Sequence, residues 1–171
     1  MPPNIFAWLR EVIGPNEDLE VIRESETRIA KAYREYLRGY QVDPQELVKI
    51  VMEDYEGDAW IEQADIPFFS LCKHHFLPFF GTIAVRYKPK SKLIGIGKLP
   101  RVVECFAARL TMQEVIVKQI GDFILEHLDA TSVEVTSSAR HLCVEARGPK
   151  GLGSTTLCSY KRSSLQTTTL M

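Results

Sequence analysis

Residues 66–88 read IPFFSLCKHHFLPFFGTIAVRYK. Two runs rich in Phe, Ile, Val and Tyr, 66–71 and 80–88, flank a polar Cys-Lys-His-His knot, with Pro and Gly as punctuation. That pattern predicts two strands joined across a short connection that carries the reactive side chains. Downstream, Leu93–Ile96 reads as a further short strand. Two helices are expected over 99–109 and 112–128, the second with Ile116, Ile120, Phe123, Ile124 and Leu128 on one face. Residues 132–147 and 154–160 return to strand. Upstream, a short helix over 4–13 stops at Gly14-Pro15. A better one spans 24–38, where Ile29, Ala32, Tyr33, Tyr36 and Leu37 recur at helical spacing before Gly39. Asp43 and Pro44 suit the N-cap and first position of a third helix, to about Asp54. Helices, strands, two helices, strands is the order of an α+β fold with mostly antiparallel pairing, not of an alternating Rossmann layout. The expected division is a helical extension at 1–60, a folded domain at 61–160, and a flexible tail at 161–171 with little to bury.

The chain has 171 residues, 45% of them hydrophobic and 25% charged, which is ordinary for a globular protein that needs no disulfide staples. Arg10 and Glu11 interrupt the only early apolar patch, so neither a membrane span nor a signal peptide is expected. The four cysteines, Cys72, Cys105, Cys143 and Cys158, lack the spacing of a secreted scaffold, and a cytoplasmic location is expected. The net charge of −1 conceals an asymmetry: residues 1–66 carry 15 acidic and 7 basic side chains, and residues 67–171 carry 7 and 14. The basic part suits a phosphorylated ligand. It lacks the Lys/Arg runs and aromatic signatures of a nucleic-acid module.

Cys72 and His75 are three residues apart, close enough to ligate one ion from a turn, and thiolate and imidazole are ligands that zinc prefers. Cys143 is the third candidate. On a strand it shares a face with His141. Three protein ligands leave a fourth position open for water, whereas a structural zinc site is closed by four. Gly95-Ile96-Gly97-Lys98-Leu99-Pro100-Arg101 runs from a strand into a helix, with Lys98 and Arg101 on one side of the first turn, an arrangement suited to a polyphosphate or to a solvated basic turn. Arg147, before Gly148, could add a bidentate phosphate contact. Thr111-Met112-Gln113-Glu114 has two readings. It fits a capping box, with Glu114 also able to pair with Lys118; alternatively, the Glu114 carboxylate can accept two N–H bonds from the edge of guanine.

Assembled in order, these pieces resemble the GTP cyclohydrolase I family from about Glu24 to Ser159. ESETRIAKAYREYLRGY is similar to that family's Arg-Val-Ala-x-x-Tyr helix. FFSLCKHHFLPFFGTIAVRYKP is similar to its Ser-x-Cys-Glu-His-His followed by Leu-Pro-Phe and glycine. IGIGKLPRVVECFAARLTMQE resembles Gly-Leu-Ser-Lys-Leu-x-Arg-Ile-Val through Arg-Leu-x-x-Gln-Glu, and RHLCVEARG resembles His-x-Cys-x-x-x-Arg-Gly. The resemblance implies the tunnelling fold, an antiparallel sheet backed by two helices, in a homo-oligomeric ring, commonly a decamer of two pentamers, with active sites between subunits. It implies zinc on Cys72, His75 and Cys143, and His74 and His141 as catalytic histidines. Glu114, helped by Gln113, would hold guanine, and Lys98, Arg101 and Arg147 the triphosphate of GTP or a related purine nucleotide. No nucleic acid or membrane partner is implied. Departures from the family pattern are Lys73 for Glu, Gly97 for Ser, Val115-Ile116 for Arg-Leu, Glu26 for Pro, and the C-terminus after Thr156, where Cys158 replaces a Thr.

Overall fold

The computed structural model describes residues 5–14 and 19–164. The chain divides into two compact units, Met1–Glu35 and Tyr36–Met171. The first holds α1 (Ile5–Ile13) and most of α2 (Leu19–Tyr36). Gly14 ends α1 at φ +86°, a left-handed conformation that glycine adopts without steric cost. On α2 an exposed Arg28–Glu24 pair spans one turn at 2.8 Å.

The second unit lacks the third helix expected to about Asp54. Asp43 does cap a turn, accepting a hydrogen bond from the Gln45 amide at 2.9 Å, but that turn is a 3-10 helix of four residues, Pro44–Leu47. Ile50–Met52 then forms β1, paired antiparallel with β4 (Leu93–Ile94). The run Val-Lys-Ile-Val is β-branched at three of four positions, which disfavours helix and favours a pleated strand. Leu47, Val48 and Ile50 spend their apolar surface against the main core.

The main sheet has five strands in the order β5-β2-β3-β6-β7: β2 (Ile61–Cys72), β3 (Pro78–Pro89), β5 (Leu110–Thr111), β6 (Ala130–His141) and β7 (Thr156–Ser163). All neighbours are antiparallel except β2 and β5. β3 alternates cleanly: Phe79, Ile83, Val85 and Tyr87 are buried, while Thr82, Ala84 and Arg86 face the other way. The buried face packs against α3 (Leu99–Ala107) and α4 (Gln113–His127), whose Phe106 and Phe123 rings meet edge to face at 5.5 Å. Gly81 is required where β3 pairs with β6, because a Cβ there would collide with the Ser138 carbonyl oxygen.

Other boundaries also differ from expectation. β2 starts at Ile61, not 66, through a bulge between Gln63 and Ile66 where Asp65 takes φ +54°. β4 ends at Ile94 and passes into a 3-10 turn, Ile96–Lys98. The strand expected over 132–147 stops at His141 and becomes a single helical turn, α5 (Leu142–Glu145). β7 runs to Ser163, beyond the expected end at 160; of the expected tail, residues 165–171 lie outside the described residues, as does the first residue of the expected 4–13 helix. Among the described residues no helix is long and apolar enough to cross a membrane.

Candidate active site

The end of β2, the start of β3, the end of β6 and the first turn of α4 converge on a cleft of about 190 Å³. Cys72 closes β2. Its carbonyl accepts hydrogen bonds from His75 N (3.3 Å) and Phe76 N (2.8 Å), and its own amide donates to Leu77 O (2.9 Å). This tight loop, with Phe76 at φ +56°, folds both histidines back over the cysteine. The Cys72 sulfur lies 3.7 Å from His75 Nδ1 and 3.9 Å from His74 Nδ1.

Cys143 arrives from the other side. Expected on a strand beside His141, it sits instead on α5, and His141 is the residue at which β6 gives way to that helical turn. The turn is anchored by Glu145, whose buried carboxylate takes both arms of Arg140 (2.9 and 2.6 Å) and the Gly153 amide (3.2 Å). The Arg140 guanidinium holds the Glu145 carboxyl below the usual carboxylate range. The ligating atoms of Cys72, His75 and Cys143 all fall within 4.8 Å of one another. Zinc–sulfur and zinc–nitrogen bonds of about 2.3 and 2.0 Å put tetrahedral donors roughly 3.5–3.8 Å apart, so the Cys72–His75 separation already fits one ion. Burial pushes the Cys143 thiol up, and the nearby Cys72 sulfur pushes it further. A divalent cation between them would make two thiolates tenable there, so the donor set suits zinc.

His141 is held by two neighbours. Its ring stacks on Phe79 with centroids 4.7 Å apart and planes within 2°. Its Nε2 meets the Gln113 side-chain oxygen at 2.8 Å. Burial lowers its pKa, and Glu114 acts weakly in the other direction. Gln113 is fully buried; its amide nitrogen donates to Ser137 O (3.3 Å), Ser137 Oγ (2.8 Å) and Thr156 O (3.1 Å). Phe79 and this glutamine network escaped the sequence reading. Buried alternation along β3 could have flagged Phe79, but no local pattern links Gln113 to a histidine 28 residues away.

Glu114 is exposed and lines the cleft. The capping-box alternative is overturned: Thr111 belongs to β5, the N-cap of α4 is Met112, and no side chain caps it. Nor does Glu114 hold Lys118, which pairs with Asp122. The cations are dispersed. Lys98 closes the 3-10 turn before α3, and Arg101 borders a separate cavity with Arg38 and Glu104. Neither lines the cleft. Arg147 is exposed and close enough to favour the Cys143 thiolate. Lys73 is exposed and also absent from the cleft lining, so the departure from Glu is not directed into it.

Comparison with known proteins gives a consistent picture. The family model described as GTP cyclohydrolase I matches residues 4–170. GTP cyclohydrolase 1 of Campylobacter lari is 41% identical over 154 residues, covering 90% of this chain and 81% of that protein. That of Janthinobacterium sp. is 38% identical, covering 91% and 79%. That of Clostridium kluyveri is 42% identical over 147 residues, covering 86% and 79%. Among solved structures, the archaeosine synthase QueF-Like in its apo form superposes with a TM-score of 0.50 at 13% identity, over 62% of this chain and 95% of that one. That likeness concerns the fold alone, the tunnelling-fold arrangement of an antiparallel sheet backed by helices. With the family model spanning nearly the whole chain and relatives near 40% identity, the chain belongs to the GTP cyclohydrolase I family.

Proposed function

We propose that this protein hydrolyses GTP, opening the imidazole ring of the purine, releasing formate and rearranging the remainder to 7,8-dihydroneopterin triphosphate. The observation that carries this reading is the convergence of Cys72, His75 and Cys143 within 4.8 Å, with His74 and His141 in the same cleft. A structural metal site needs neither of those two histidines. Zinc held by the three ligands supplies the Lewis acidity that makes water nucleophilic near neutral pH.

The chain's own residues account for the remaining steps. His141, half-buried and fixed against Phe79, gives a proton to N7 as water adds at C8. His74, one residue from the ligand His75, relays a proton to the ribose ring oxygen as that ring opens. Glu114 accepts two N–H bonds from the guanine edge, its carboxylate being free of the capping role. Lys98, Arg101 and Arg147 bind the triphosphate by charge-assisted hydrogen bonds. Since Lys98 and Arg101 do not line the cleft of their own chain, a homo-oligomer in which a neighbouring copy supplies them suits the arrangement, and a decamer of two pentamers is the assembly we favour.

Incubating zinc-loaded protein with GTP and following formate and pterin fluorescence tests this reading. Formate and pterin should appear in equal amounts. Nucleotide binding without formate would favour a non-catalytic purine-binding ring.

A further inference from the structure

We propose that Gln113 is a positioning residue for His141, not a ligand of the purine. Its side-chain orientation follows from its neighbours. The amide nitrogen lies 3.3 Å from the carbonyl oxygen of Ser137 and 3.1 Å from that of Thr156, and neither atom can donate a hydrogen. The NH₂ end must therefore point at them, with Ser137 Oγ at 2.8 Å as a further acceptor. The oxygen end consequently faces His141 Nε2 at 2.8 Å. An amide oxygen only accepts, so Nε2 carries the hydrogen, and the neutral ring is the Nε2–H tautomer. Nδ1 is then the ring nitrogen left to take up a proton and pass it to the purine, while the Nε2 hydrogen stays bonded to Gln113. Phe79, stacked within 2° of the imidazole plane, removes the remaining rotational freedom.

The geometry is costly to build and is otherwise unexplained. Gln113 is the first residue of α4 and is fully buried, yet it ties together β6, through Ser137, and β7, through Thr156. Both ends of its amide are satisfied within the chain, so little is left to offer a base. A histidine that transfers a proton needs a fixed tautomer and a fixed aim, and a buried neutral partner supplies both without adding charge beside the metal ligands.

This inference rests on the cyclohydrolase reading for its kinetic arm and on the fold alone for its spectroscopic arm. In zinc-loaded Gln113→Met, which keeps the bulk and loses the acceptor, kcat should fall roughly 10- to 100-fold, a share of the usual worth of an acid–base group. KM for GTP should move by less than about threefold and zinc content should hold. The chain has four histidines, so 15N-histidine labelling gives four rings, with His141 identified by its loss in His141→Asn. In the unaltered protein the neutral His141 ring should carry its hydrogen on Nε2 alone; in Gln113→Met both tautomers should appear. A raised KM with unchanged kcat would return Gln113 to the purine and overturn the proposal. So would a hydrogen on Nδ1 in the unaltered protein, a readout that survives even if the variant fails to fold. Absence of GTP turnover by the unaltered protein would sink the cyclohydrolase reading and leave the tautomer test standing.

Discussion

At the chemical end of the cleft, Cys72, Cys143 and His141 are buried or half-buried, and each is fixed by its own chain: Cys72 by the Leu77 and Phe76 backbone bonds, Cys143 by the Glu145-anchored turn, His141 by Phe79 and Gln113. The cations proposed for the phosphates lie outside the cleft lining: Lys98 is half-buried on a 3-10 turn, Arg101 is exposed beside another cavity, and Arg147 is exposed after α5. The two ends answer different demands. Metal and proton chemistry needs atoms held to fractions of an ångström, which only over-determined packing delivers. A triphosphate is bound by long cationic side chains that tolerate several geometries and can come from different chains.

The largest effect should come from breaking the rigid end. Cys143→Ser should lose zinc and drop formate release to background together; full zinc by elemental analysis in that variant would refute the ligand assignment. Breaking the dispersed end should be milder. Losing a charge-assisted bond costs about 1.5–3 kcal/mol, so Arg101→Ala should raise KM for GTP roughly ten- to a hundredfold with zinc retained. If neighbouring copies share a site, mixing unfolded Arg101→Ala and Cys143→Ser chains and refolding them together with zinc should restore activity above either alone. No recovery would place both ends in one chain.

The rigid end was legible because its signals are local. Cys72 and His75 sit three residues apart, His141 and Cys143 two apart, and each pair reaches the cleft on a single turn. The strand cores of β3 and β6 and the apolar stripe of α4 were legible for the same reason. What the sequence hid is non-local. The first half of β2, Ile61-Glu62-Gln63-Ala64-Asp65, is too polar to read as strand and pairs only because β3 lies beside it. The α5 turn interrupts a run that reads as strand, and its anchor joins Arg140, Glu145 and Gly153. Thr111 satisfies a capping pattern, yet parallel pairing with Cys72 draws it into β5, and its carbonyl accepts from Lys73 N at 3.0 Å.

Two smaller effects sharpen the contrast. Glu114→Gln replaces one guanine-facing acceptor with a donor, a loss on the order of 1–3 kcal/mol in a desolvated site, so GTP affinity should fall about tenfold. With no capping role to lose, thermal stability should stay level; a lower Tm with unchanged affinity would contradict the assignment. The smallest change concerns Gly97, where an added Cβ would meet nothing within 4 Å. Gly97→Ser should therefore fit and add one neutral hydrogen bond to phosphate, about 0.5–1.5 kcal/mol, tightening GTP modestly and guanosine not at all. Equal affinity of the unaltered protein for guanosine and GTP would remove the phosphate assignment altogether.

A zinc titration read by chemistry ties the Cys72–His75–Cys143 cluster to the reaction. The protein is stripped with a chelator, zinc is returned in steps, and formate released from GTP is measured at each step. Release should rise linearly and level off at one zinc per chain. Formate release from fully stripped protein, or no release at any zinc content, would contradict that link.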